Sequence, residues 1–346
     1  MDYVDLLFKF VLGVVILAVS FIIAMYATWV ERRIAAWIQD RDGPSRNGPF
    51  GLLQPVADGG KLFFKEEVIP GRSNRLLFIL GPGIAMGTAL LTSAVVPWGA
   101  DFAIAGRTFR LQMADLNVAT LYVFAVVGLG VYGIMVGGWA SNNKYSLMGA
   151  LRASSQMISY ELGMGMAAIG VVMLSNSMSL RDIVQAQSGL HGLAWNVFLQ
   201  PLGFLVFLIC AFAECNRHPF DLAECEAELI VGYHVEYSSM KLGFYLFSEY
   251  INMFVSSAVM ATLFFGGWQV PFLDLLGLPP PFATLIGTAV LFVKIFLLMF
   301  VFMWVRWTLP RFRYDQLMNL GWKALFPLAI VNMLWTAGLV AVRGFH

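Results

Sequence analysis

Six carboxylates crowd into one stretch of this chain: Glu214, Asp221, Glu224, Glu226, Glu228 and Glu236, with Arg217 among them. Like charges held close repel, and a carboxyl drawn partly out of water keeps its proton more tightly, so such a group gains and loses protons collectively. Phe220, Leu222, Leu229, Ile230 and Tyr233 interrupt the run and call for burial. A half-buried acidic cluster is a candidate proton reservoir; a merely solvated acidic loop is the plainer account. Glu161, Glu249 and Lys294 fall inside long apolar stretches. There an ionisable side chain costs about 2.5–3.5 kcal/mol on insertion scales and marks either a pathway or a pair. Glu161 lies about 15 residues into its stretch, roughly 22 Å along a helix. Arg152 and Gln156 share a face of that helix, whereas Glu161 is about half a turn away from Arg152 and does not simply pair with it. A buried pair such as Glu249 with Lys294 is the alternative to a path. Three charges on three spans beside an acidic loop favour the path.

A second charged segment runs from Glu31 to Asn74. Its opening, Gln39 to Pro49, is broken by Gly43, Pro44, Gly48 and Pro49 and cannot be helical. Residues 50–67 can form an amphipathic helix, with Asp58, Lys61 and Lys65 on one face and Leu52, Leu53, Val56, Phe63 and Phe64 on the other. Taken alone, that is an interfacial helix lying on lipid headgroups. Cys210, Cys215 and Cys225, near His218, fit no zinc or iron–sulfur spacing and read as small buried thiols, with no metal. No nucleophile–base arrangement, phosphate loop or dinucleotide fingerprint appears, so no flavin, nicotinamide or haem is expected in this chain. Redox chemistry here needs electrons from a partner.

The elements that must hold these groups follow from composition. Hydrophobic residues make up 59% of the 346 and charged residues 12%, half the share usual in soluble domains. Mean hydropathy is +0.74. Eight apolar stretches are long enough to span a bilayer: Leu7–Val30, Arg75–Val96, Asn117–Ala140, Ser146–Leu174, Trp195–Ala213, Lys241–Phe265, Phe282–Arg306 and Trp322–Val342. The first is too long for a signal peptide and opens with Asp2 and Asp5 rather than basic residues. Of the 22 Lys and Arg, sixteen lie in or beside the odd-numbered loops. Lys9, Arg107, Arg110, Arg181 and Arg343 lie opposite, and Lys294 lies within a span. The positive-inside rule then makes the odd loops cytoplasmic and places both termini on the other side. The predicted fold is an all-α integral membrane protein of about eight spans, a single domain over residues 1–346. It carries long cytoplasmic loops at 31–74 and 214–241, one interfacial helix, and a small external hairpin where Ala100–Leu111 alternates around Gly106. No internal repeat of the kind found in many transporters is evident. A net charge of +1 and the lack of a basic stripe with interleaved aromatics point away from nucleic acid.

Several motifs, in order over nearly the whole chain, resemble one family. They are Glu31-Arg-Arg with Gln39, Arg41 and Gly43-Pro44; Gly51-Leu-Leu-Gln54 and Asp58-Gly-Gly-Lys61; Gly138 to Tyr145; Leu151-Arg-Ala with Gln156 to Glu161; Asn216-Arg with Pro219-Phe-Asp and Glu224, Glu226, Glu228; and Val305 to Gln316. Together they resemble the H-type membrane subunit of bacterial respiratory complex I, the equivalent of mitochondrial subunit one. The resemblance implies a membrane anchor for the peripheral arm, lining a tunnel for ubiquinone, menaquinone or plastoquinone. A cluster in a neighbouring iron–sulfur subunit reduces the quinone, so the resemblance implies peripheral-arm and small membrane subunits as partners, in the bacterial inner membrane. It also implies roles. Glu31, Arg32 and Arg41 line the first-loop side of the tunnel, and Lys61 and Lys65 guide the headgroup in from lipid. Arg217, Asp221, Glu224, Glu226 and Glu228 respond to quinone reduction, while Arg306, Arg311 and Arg313 support the site. Glu161, Glu214 and Glu249 pass the charge signal towards proton-pumping subunits. His218 and Cys225 stand among these motifs as local variation. Two other readings stay open: the related anchor subunit of a membrane-bound hydrogenase or ferredoxin-linked photosynthetic complex, and an independent proton or cation transporter.

Overall fold

The computed structural model describes residues 3–104, 107–222, 230, 232–273, 277 and 279–343. Among them, seven helices are long and apolar enough to cross a membrane. These are α1 (Tyr3–Ile38), α3 (Arg75–Ser93), α4 (Ala119–Ala140), α5 (Lys144–Ser175), α10 (Ser239–Phe264), α11 (Pro280–Thr308) and a last span, Tyr314–Val342. That last span is built from α12 (Tyr314–Asn319), a π-turn at Leu320–Leu325 and α13 (Phe326–Arg343). Short helices fill the connections: α2 (Gln54–Phe64) in the first charged loop, then α6 (Leu180–Ala186), α7 (Gly189–Gly192) and α8 (Asn196–Leu199). The expected hairpin is present, with Phe102–Ile104 pairing antiparallel to Arg107–Phe109 and Phe102 opposite Phe109. Phe8 of α1 packs on both phenylalanines.

The fifth expected span differs. Trp195–Ala213 divides at Gln200, and the helix that follows, α9 (Pro201–Glu214), has only 14 residues. That is about 21 Å of helix at 1.5 Å per residue, short of a hydrocarbon core about 30 Å thick. The cause is local: Pro201 suits a first helical position, where its missing N–H is no loss. Gln200 instead sends its amide to Thr336 of α13 at 2.9 Å.

The bundle is organised around α10, which packs against α1, α3 and α11. Its most apolar window is 67% buried, against 17% for α1, so α10 is central and α1 faces outward. Close approach elsewhere relies on small residues, as between other membrane helices. A Cβ on Gly133 of α4 would lie 2.6 Å from the backbone of Ala85 in α3. One on Gly137 would lie 1.9 Å from the Tyr245 hydroxyl of α10.

Lys294 does not pair with Glu249, which corrects the structural pair left open above. Its ammonium donates to the carbonyls of Phe265, Gly267 and Gln269 at 2.8, 2.9 and 2.8 Å, and lies over the Trp195 ring. The last carbonyls of a helix have no partner within it. Here Gln187 takes Thr262 O and Asn196 takes Leu263 O, while Lys294 takes the carbonyls of Phe265, Gly267 and Gln269 in the turn just beyond the helix. Lys294 therefore caps the turn that follows α10. Replacing it by Met is expected to destabilise the detergent-purified protein by about 1–3 kcal/mol, the usual cost of buried polar groups left unmet. The melting temperature reads this directly, and an unchanged value would remove the capping role.

Candidate functional site

The two charged loops meet at the ends of α1, α10 and α11. Arg217 follows the short helix α9 and is among the most fully buried large side chains, at 1% exposure. Its NH1 lies 2.5 Å from Glu31 of α1 and its Nε 2.6 Å from Glu249 of α10. The guanidinium also covers the Tyr250 ring, 4.2 Å from its centroid. Arg306, near the end of α11, reaches the other oxygen of Glu31 at 2.7 Å. The result is one chain of alternating charge: Glu249, Arg217, Glu31, Arg306. Burial works against the charge on Arg217, but Glu249 and Glu31 outweigh it and hold its pKa well above the usual arginine value. Two acids and two arginines cancel formally, which is how such groups tolerate burial.

On the far side of Glu31 opens a cleft of about 580 Å³. Its polar edge is Glu31, Arg32, Asp58, Lys61 and Lys65, and its apolar walls include Leu62, Leu246, Phe247, Tyr250 and Trp307. Helix α2 supplies the rim. Asp58 is held by Arg32 at 2.8 Å and by the Gln54 amide at 3.0 Å, so the helix is tied to α1 by charge. A cleft with mainly apolar walls and several charged residues in its lining suits a molecule that is part apolar and part polar.

The sequence-predicted residues divide. Glu31, Arg32, Lys61 and Lys65 line the cleft, and Arg217, Arg306 and Glu249 form the network behind it. Arg41 lies elsewhere, in a separate groove with Arg32, Asp42, Arg46 and Gln54, and donates to Gln39. Arg313 is exposed beside Asp315 at the start of α12, away from the cleft. Arg311 and Asp221 form a third group with His218. Glu224, Glu226, Glu228 and Cys225 lie outside the described residues. Cys210 and Cys215 are buried free thiols.

Glu214 ends α9, 7% exposed, with one carboxylate oxygen buried and lacking a hydrogen-bond partner among the described residues. It borders two small cavities. One, of about 30 Å³, reaches Glu249, Ser248, Asn252 and Thr88. The other, of about 40 Å³, reaches Thr92 and Ser256. Each has room for at least one water by the usual measure of about 10–15 Å³. Glu161, midway along α5, sits against Gly128 of α4 and within electrostatic reach of Glu214. Sequence reasoning missed Tyr250, Trp307 and Phe247, which shape the cleft. The signal was present for Tyr250, since it adjoins Glu249, but aromatic residues on an apolar helix are usually packing.

The comparisons with known proteins agree with one another. A family model described as NADH dehydrogenase matches residues 11–337. The chain is 59% identical over 335 residues to an H-type subunit of the NADH-quinone oxidoreductase of Cytophaga hutchinsonii, covering 97% of both chains. It is 59% identical over 336 residues to the H-type subunit of the NADH-quinone oxidoreductase of Flavobacterium johnsoniae, with 96% and 95% covered. The corresponding subunit of Thermomicrobium roseum is 47% identical over 350 residues, 99% of each chain.

Proposed function

Because the chain belongs to the family of H-type subunits of NADH-quinone oxidoreductase, an integral membrane component of that enzyme complex, we propose that it forms the membrane wall of the quinone tunnel and couples quinone reduction to proton pumping. The observation that carries this reading is the cleft lined by Glu31, whose charge is tied through Arg217 to Glu249. Reduction of a quinone takes up two electrons and two protons. The electrons come from a partner subunit, with NADH as the donor to the complex. Negative charge that develops on the headgroup before the protons arrive is felt by the nearest fixed charges. In this reading Lys61 and Lys65 at the rim draw the carbonyl headgroup in from lipid, and Leu62, Leu246, Phe247 and Trp307 hold its ring and tail. Arg306 and Arg217 share Glu31, so a new negative charge in the cleft competes for the arginines and loosens Glu249. The cavities beside Glu214 give Glu249 a watered route inward, towards Glu161. Protons then move along the series Glu249, Glu214, Glu161 to the pumping subunits, whose place in the complex is also part of this proposal. In this reading α8 and α9 together make the eighth crossing, so the charged loops face the cytoplasm and both termini the opposite side of the bacterial inner membrane, in keeping with the lysine and arginine bias.

The test is a photoreactive quinone analogue applied to membranes containing the complex. Crosslinks on this chain are expected in α1 near Glu31, in α2 and in α10 around Leu246–Tyr250. Crosslinking suppressed by excess quinone elsewhere, with none in those three helices, would remove the cleft from the reaction. Narrowing the cleft with Leu246→Trp is expected to raise KM for quinone about tenfold, as displaced hydrophobic contact of about 1–3 kcal/mol implies. Assembly should be normal.

A further inference from the structure

His218, Asp221 and Arg311 form a knot that the tunnel and the carboxylate series leave unused. His218 Nε2 lies 2.8 Å from Asp221 Oδ2, and the same nitrogen lies 3.2 Å from Arg311 Nε and 3.1 Å from its NH2. Arg311 NH2 also donates to Asp221 Oδ2 at 3.1 Å. The segment carrying Arg311 is fixed here, since Phe312 N donates to Pro219 O at 3.1 Å and the Phe312 ring packs on Phe220.

One nitrogen cannot serve both neighbours at once. With a proton on Nε2 it donates to the carboxylate, and the Arg311 N–H groups face another donor. Without that proton it accepts from Arg311, and its lone pair faces the carboxylate oxygen. An imidazole nitrogen is a donor or an acceptor, never both. With Nδ1 keeping its own proton throughout, the arrangement has two hydrogen-bond states that differ by one proton.

We propose that His218, Asp221 and Arg311 are a one-proton loading site, passing protons between the protein surface and the buried carboxylates. The inference rests on the reading that Asp221 takes part in coupling to the quinone. The step balances: the Nε2–H bond of the imidazolium breaks, an O–H bond forms on Asp221, and the imidazole becomes neutral and accepts from Arg311. The three groups carry +1 until the proton leaves Asp221, and zero afterwards.

Burial is graded to suit this. The Arg311 and His218 side chains are 34% and 18% exposed, and that of Asp221 is 6%. Asp221 Oδ1 is buried with no hydrogen-bond partner among the described residues. Glu249 of α10 and His234 of the Gly232–His234 turn both lie within electrostatic reach of Asp221. Burial pushes His234 down to about 4 against the pull of Asp221. It stays neutral near pH 7, which leaves His218 as the imidazole that exchanges the proton.

The experiment measures quinone reductase activity of the assembled complex in membranes across pH. The unmodified enzyme is expected to show an ionisation that depends on an imidazole at position 218. His218→Gln is expected to abolish that ionisation and lower the rate at neutral pH about tenfold, at the low end for lost proton transfer. His218→Asn is the second variant and is read the same way. An unmodified profile without the ionisation, or variants that keep it, would overturn the proposal. So would failure of both variants to assemble, which a purely structural knot predicts. Asp221→Asn separates the two levels. If it leaves turnover intact, the coupling role of Asp221 fails; if it slows turnover while His218→Gln keeps the native pH profile, only the loading site fails.

Discussion

Arg217→Leu is expected to abolish assembled, active enzyme, and Arg217→Lys to restore little of it. Arg217 answers two buried carboxylates at 2.5 and 2.6 Å, in different directions, from one planar group. Deleting it leaves Glu249 with only the more distant charge of Arg306, and Glu31 with Arg306 alone. Breaking a buried pair from one side costs about 3–5 kcal/mol, because the remaining charge stays desolvated. Here one substitution breaks two pairs. A lysine presents a point charge on a thin stem, so it meets one carboxylate at a time and loses the stacking on Tyr250. The amount of intact complex in native gels and the quinone reductase rate per complex check this separately. If Arg217→Leu assembles in normal amounts, the network is no support for the fold. A companion variant separates charge from packing: Glu31→Gln, which keeps the shape, should assemble better than Arg217→Leu.

The long spans were legible because hydropathy is a sum over some twenty residues, and local errors average out. Six of the seven long helices begin within about three residues of the expected stretches or only a turn outside them. The last begins earlier, at Tyr314, because a π-turn carries the helix through Leu320–Leu325. Where a single residue decided the outcome, reading was harder. Pro201 shortens the fifth span, yet a lone proline within apolar sequence is equally compatible with a kink. Lys294 was legible as a buried charge, but its partners are three backbone carbonyls, and a carbonyl leaves no trace in a sequence. The same limit explains the site. Glu31 and Arg217 were both candidates through the family resemblance, but their contact spans 186 positions, and charge type says nothing about distance in space. His218 looked like local variation. Its significance comes from Arg311, 93 residues away, which shares its Nε2 with Asp221.

Glu161→Gln is expected to assemble normally and lose about tenfold or more of coupled turnover, at or below the usual worth of a positioned proton-transfer group. Midway along α5, Glu161 makes no ion pair among the described residues, and its carboxylate rests against Gly128. The alternative role, an anchor for a buried cation, needs a cation within reach. Lys294 was the candidate, and it is committed to the carbonyls of the turn that follows α10. Gln keeps the shape of Glu and is cheaper to bury than an ion, so nothing in the packing opposes it. It cannot take up or release a proton, so a relay through this position stops. Glu161→Asp keeps the acid on a shorter stem and should restore part of the rate, which a steric account does not predict. Proton pumping and quinone reduction are measured together in closed vesicles, per assembled complex. Near-native pumping in Glu161→Gln would leave the carboxylate with no part in proton movement, and the route from Glu214 would then have to avoid α5.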